Sequence, residues 1–196
     1  MEVNYLNLPN GATCVVAEIE DSSLTCIDFW CKGGSSNAAT GLDDVHYHVL
    51  VPPEKTVEAL NLLLELLLFP KIEQDAFEME KEVVLEEISQ NIDQPDEIIY
   101  IKLLKECCSP HRYSRPILGD KETVRKIIPK QMKQFHKDHY VGENCSLCIA
   151  GKVPNGIQSI INNSQLKDLK AKEEKSRIKK QITFNKGYKK RINTKT

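Results

Sequence analysis

The run LNLLLELLLF, Leu60 to Phe69, constrains this chain more than any other segment. It is far shorter than the roughly 20 apolar residues a membrane span needs, and it holds Glu65. Extended back to Glu54, it reads as a helix that stops before Pro70, which cannot continue it. A helix this apolar needs another layer to cover it, so we expect it buried against a sheet.

The strands for that sheet are legible on both sides of the helix. Residues 4–8 and 12–19 flank Pro9-Asn10-Gly11, and Asn-Gly is a strong signal for a tight hairpin turn. Ser23 to Lys32 is a strand with Leu24, Cys26, Asp28 and Trp30 on one face, broken by the loop Gly33-Gly34-Ser35-Ser36-Asn37. In Val45 to Val51, apolar Val45, Tyr47, Val49 and Val51 alternate with His46, His48 and Leu50 until Pro52-Pro53. Helices are expected from Asp75 to about Asn91, from Asp96 to Cys107, and from a cap at Asp120 to about His139. A strand over Cys145 to Ala150 and a helix over Pro154 to Leu169 follow. The order predicts an α+β fold, a mainly antiparallel sheet with helices packed on one face.

Composition agrees with an ordinary globular chain. There are 196 residues, 40% hydrophobic and 28% charged, with a net charge of −1. The charge is uneven: residues 1–166 carry 15 basic and 25 acidic side chains, whereas residues 167–196 carry 12 basic and 3 acidic. We therefore expect one domain over 1–166 and a basic C-terminal segment over 167–196, either the domain's end or a frayed tail. That segment has only Phe184 and Tyr188 for base stacking, so no nucleic-acid partner is expected. No secretory leader and no membrane span are visible. Seven cysteines at irregular spacing argue for a reducing compartment, with cytoplasm the expectation.

The chemically informative segment is FEMEKEVVLEEISQ. Phe77, Glu80, Val84, Glu87 and Ile88 are spaced three or four apart and share a helical face. Two readings stay open. In the plain one, the carboxylates reach water at the edge of an amphipathic helix. In the sharper one, Glu87 is a metal ligand and Glu80 balances charge behind it.

Several pieces occur in a telling order: LPNGATCVVAE, a strand ending in GGSSNAATGL, DDVHYHVLVP, EKEVVLEEISQ, HRYSRPILG and FHKDHYVGENCSLCIAGKV. Together they resemble the N-terminal domain of the pitrilysin-like zinc peptidases, the inverzincins, which include insulin-degrading enzymes and mitochondrial processing peptidases. The likeness covers roughly residues 3–185. It implies zinc as the family cofactor, peptide or unfolded protein as substrate, Glu87 as the last zinc ligand and Glu80 as its accompanying acid. It also implies a partner, because the family joins this domain to a second half in the same chain or in a partner subunit.

The motif that defines the family's chemistry, H-x-x-E-H, is missing. The five histidines are His46, His48, His111, His136 and His139, and none begins it. Gly41-Leu42 runs directly into Asp43-Asp44-Val45, where the family pattern interposes the helix bearing both zinc histidines and the general-base glutamate. No catalytic residue can therefore be assigned, and the chain is expected to be an inactive member. The alternative is a docking or regulatory subunit that pairs with an intact peptidase half. A third reading rebuilds a zinc site from His46, His48 and Glu87. His136 and His139 read as helix C-terminal cations. Cys145-x-x-Cys148 and Cys107-Cys108 read as structural thiols, the i, i+3 pair facing opposite sides of a strand. Arg112 to Pro116 reads as a positioning loop.

Overall fold

The computed structural model describes residues 2–32 and 39–171. The loop expected at Gly33 to Asn37 and nearly all of the basic segment, including its expected strand near QITFNKGY, lie outside the described residues. The described residues divide into a sheet unit, 2–71 with 133–171, and a helical unit, 72–132.

The sheet unit opens with the expected hairpin. Strand β1 (Glu2–Asn7) pairs antiparallel with β2 (Thr13–Glu18). Between them Gly11 takes φ 87°, a left-handed value that the turn demands and that glycine adopts without strain. Then come β3 (Thr25–Lys32), the two-residue β4 (Ala39–Thr40), β5 (Asp44–Val51) and, after helices, β6 (Cys145–Gly151). The sheet order is β1-β2-β6-β3-β5-β4. Every pairing is antiparallel except β2 with β6, which run parallel. Gly151 closes β6 at φ 129°, where a Cβ would collide with the Leu24 carbonyl oxygen.

Period-2 alternation decides the two sheet faces. One face carries Cys14, Val16, Ile27, Phe29, Cys31, Val45, Leu147 and Ile149, each at most 2% exposed. Helix α1 (Thr56–Leu68) covers it with Leu60, Leu63, Leu64, Leu67 and Leu68, the i, i+3, i+4, i+7, i+8 stripe of a core-facing helix. Ile157 and Ile161 of α6 (Ile157–Asn163) join the same core. α1 is buried against the sheet, as expected, along one stripe: Leu62 and Leu66 stay more than half exposed, because one sheet can cover only one stripe. The expected final helix is shorter. It ends at Asn163, and the hydroxyl of the following Ser164 accepts from the Leu166 N–H and starts a 3-10 turn over Gln165–Asp168.

The helical unit holds α2 (Gln74–Ile92), α3 (Pro95–Cys108) and α4 (Lys121–Lys126). Pro95 opens α3 at the position where its missing N–H costs nothing, with Asp96 and Glu97 in the first turn. Asp120 caps α4 by accepting from the Thr123 N–H at 2.9 Å. The single helix expected from Asp120 to His139 is two. Ile127 is extended (ψ 137°), and α5 (Pro129–His139) begins at a proline that cannot sit inside a helix. A small apolar cluster of Leu85, Ile88 and Val124, with Val84 and Leu118 against it, forms this unit's core. No helix among the described residues is long and apolar enough to cross a membrane.

Candidate functional site

The sharper reading of α2 rested on two carboxylates sharing the apolar stripe. In the structure the buried positions are Leu85 and Ile88, with Phe77, Lys81 and Val84 partly covered, while Glu80 and Glu87 are both exposed. They lie roughly a quarter turn round the helix from the middle of that stripe, as 3.6 residues per turn requires. The cation among these residues is committed elsewhere. Lys81 lies over the Phe77 ring, 5.2 Å from its centroid, and its Nζ reaches Glu78 at 2.9 Å.

His46 and His48 stand on β5 in the sheet unit. Their rings lie 6.0 Å apart, and His46 stacks on Trp30 at 4.6 Å. The two-residue spacing brings the imidazoles to one face, but among the described residues no three His, Cys, Asp or Glu side chains converge into a metal-binding group. His136 donates from Nε2 to the Leu67 carbonyl (2.7 Å) and stacks on Tyr140. Tyr140 in turn shares a 2.8 Å hydroxyl hydrogen bond with Tyr47, and burial, then that bond, pushes its phenol well above the usual range. His139 donates from Nδ1 to the Phe135 carbonyl (2.9 Å) and stacks on that ring. These rings brace helix ends. His111 Nδ1 accepts from the Tyr113 N–H at 3.3 Å, fixing the 3-10 turn Arg112–Ser114. Cys145 lies in the core and Cys148 on the open sheet face, so C-x-x-C does not converge.

The open face of the sheet holds one group that the alternation pattern placed but could not weigh. Asp28 sits opposite His48 on one side and Cys148 on the other. Its Oδ1 is buried and has no hydrogen-bond partner among the described residues. Burial, then the Asp28 charge, pushes the Cys26 and Cys148 thiols up, which keeps both protonated. The same face exposes Tyr5 (77%), Leu50 (62%) and Trp30 (37%).

The remaining feature is the connection into β5. Thr40 pairs with Val45, and the Gly41 N–H donates to the Asp44 carbonyl at 2.8 Å. β4 therefore turns into β5 through a tight hairpin over Gly41, Leu42 and Asp43.

Two descriptions of one family match in sequence. "Insulinase (Peptidase family M16)" matches residues 29–121 and "Peptidase M16 inactive domain" matches residues 126–196, between them most of the chain. The chain belongs to peptidase family M16. It is 30% identical over 125 residues to the zinc protease YmxG of Bacillus subtilis (strain 168), covering 64% of this chain and 31% of that protein. It is 27% identical over 150 residues to the mitochondrial-processing peptidase subunit beta of Dictyostelium discoideum, covering 76% and 31%. The chain thus spans about a third of the length of these curated relatives. Among solved structures, a protease from Helicobacter pylori superposes with TM-score 0.79 at 20% identity, over 94% of this chain and 55% of that one. The peptidase M16 inactive domain from Pseudomonas fluorescens gives 0.79 at 16%, over 93% and 54%.

The M16 fold is present, and the relatives are named zinc proteases. The residues of this chain do not fit a catalytic zinc. Such a site takes three protein ligands and keeps one position for water. H-x-x-E-H occurs nowhere in the sequence, and Glu87 stands exposed with no convergent donors among the described residues.

Proposed function

We propose that this chain is an M16-family protein that keeps the fold and does not hydrolyse peptide bonds. The observation that carries the reading is the tight β4–β5 turn at Gly41 to Asp44. It stands where the family's two zinc histidines and general base belong, and none of the five histidines supplies a substitute motif. Without those groups nothing lowers the pKa of a bound water, and no carboxylate stands ready to take its proton. Zinc and a peptide or unfolded-protein substrate belong, on this reading, to the active relatives.

The test is zinc content per chain by elemental analysis, after refolding with excess zinc and dialysis, beside cleavage assays on an unfolded protein. The expected result is zinc far below stoichiometric and no cleavage. Stoichiometric zinc that is lost in Glu87→Gln, together with hydrolysis, would overturn the proposal. A His46→Ala/His48→Ala double variant would then ask whether those imidazoles rebuilt the site.

A docking role is the second reading. It is supported by Tyr5, Trp30 and Leu50, exposed on the sheet face opposite the core, and by a relative that is itself named a subunit. Co-purification with an intact M16 peptidase half is the expected result, and failure to associate at micromolar concentration counts against it.

A further inference from the structure

We infer that Cys31 and Cys145 are a redox-responsive pair that closes into a cross-strand disulfide between β3 and β6 when the chain meets hydrogen peroxide. This goes beyond the proposed loss of hydrolysis and does not depend on it. In the β3–β6 ladder the two residues stand directly opposite each other. Directly opposed residues of an antiparallel pair lie about 4.5–5.5 Å apart at Cα, inside the span a disulfide bridges. Both side chains project to the core face, Cys31 at 0% exposure and Cys145 at 1%. The Cys31 thiol donates to the His139 carbonyl at 3.6 Å, and the two thiols interact closely enough to shift one another's proton affinity.

The other cysteines lack this geometry. Cys148 faces Asp28, Cys26 faces Ala150 and Cys14 faces Leu147, while Cys107 and Cys108 are helix neighbours. The seven cysteines are all unpaired as the structure stands, so the pair is described in its reduced state.

The two thiols are not equivalent. The neighbouring Cys145 thiol holds the Cys31 thiol below the usual range, while that neighbour and burial push Cys145 up. Cys31 therefore loses its proton first and is the attacking sulfur. Its thiolate attacks one peroxide oxygen, an S–O bond forms, the O–O bond breaks, and hydroxide leaves and is protonated to water. The Cys145 sulfur then attacks the Cys31 sulfenic acid. The S–S bond forms, the S–O bond breaks, and the departing hydroxide carries off the Cys145 proton as a second water. Two thiols are oxidised and one peroxide is reduced. A reagent as small as peroxide suits a buried pair, whereas exposed Cys107 is open to bulkier ones.

The bond would enclose all of the sequence between residues 31 and 145, including the whole helical unit. Closing so long a loop restricts the unfolded chain strongly, so oxidation should raise the melting midpoint by several degrees. The experiment treats the full reduced chain with graded hydrogen peroxide, removes the excess with catalase, and maps disulfides by non-reducing digestion and mass spectrometry. The expected result is a peptide joining Cys31 to Cys145, the loss of two alkylatable thiols in denaturant, and reversal of both by dithiothreitol. The link persists in Cys107→Ser. In Cys145→Ser, Cys31 stops at a sulfenic acid that dimedone traps. Oxidation confined to Cys107, Cys31 passing straight to sulfinic acid, or any other cysteine pairing would overturn the inference. The wild-type map decides alone if the serine variant does not fold.

Discussion

In the sheet unit, Phe29, Ile27, Leu60 and Leu64 keep no exposure at all, and they belong to one apolar cluster that spans four strands and two helices. In the helical unit, the clustered residues Ile88, Leu85 and Val124 each keep 6–8%, and among the described residues Val84 and Leu118 pack against them. Ladders pair much of the sheet unit's backbone and helices much of the helical unit's, so regular hydrogen bonding is not what separates them. Burial does. A side chain of this size, fully buried, contributes about 1.5–3 kcal/mol, and the sheet unit has many while the helical unit has few. Free energy of local opening should therefore be high in β3, β5 and β6 and low in α2 to α4.

The largest expected effect breaks the deep core. Phe29→Ala should cost about 3–5 kcal/mol, because the fully enclosed site cannot collapse on the void. Trp30, the sole tryptophan, lies beside it on β3, so its fluorescence reads the sheet unit's denaturant transition directly. A shift in midpoint below about 1 kcal/mol would mean that the core is not as continuous as it looks. The next effect sharpens the contrast. Leu85→Ala should cost about 2 kcal/mol, and hydrogen exchange should speed up in α2 and α4 while the Trp30 transition stays in place. Equal shifts in both readouts would show that the two units unfold as one, and the contrast drawn from burial would fail.

What could be read from sequence follows the range of the interaction that fixes it. The β1–β2 hairpin was legible because Asn10-Gly11 states its turn locally, and β5 because Val45 and Tyr47 alternate with His46 and His48. The parallel β2–β6 pairing brings Val16 beside Ile149, and no local pattern announces a partner so distant in the chain. The split of the fourth helix was missed because Ile127 and Ile128 continue an apolar rhythm across Pro129, whose backbone effect should have outranked it. On α2 the spacing correctly aligned Glu80, Val84 and Glu87 along the helix. Which side of that line is covered depends on Val124 and Leu118 from elsewhere in the chain, and they lie against Leu85 and Ile88. The absence of H-x-x-E-H was fully legible, since a motif is a local statement. The orphaned Asp28 oxygen was not, because it depends on the two strands flanking β3.

The smallest expected effect tests whether the shallow unit leans on its caps. Asp120 accepts from the Thr123 hydroxyl at 2.7 Å and from the Thr123 N–H at 2.9 Å, and these bonds hold its carboxyl below the usual carboxylate range. The folded value is thus depressed relative to the unfolded one. The cap's contribution is complete above the ordinary aspartate value of about 4, and it is lost as pH falls from there through the folded value. An NMR titration of the Asp120 carboxyl carbon should show a midpoint below that ordinary value, with the Thr123 amide shift following it. Asp120→Asn keeps an acceptor for the Thr123 N–H and removes the titrating charge. Its α4 should therefore lose the acid-dependent limb in hydrogen exchange, corrected for intrinsic rates, while Trp30 reports no change. A carboxyl that titrates at the ordinary value would mean α4 holds its first turn without the charged cap. The small core of Leu85, Ile88 and Val124 would then be the main support of that helix, and Leu85→Ala should unravel α4 more completely than the cap variant does.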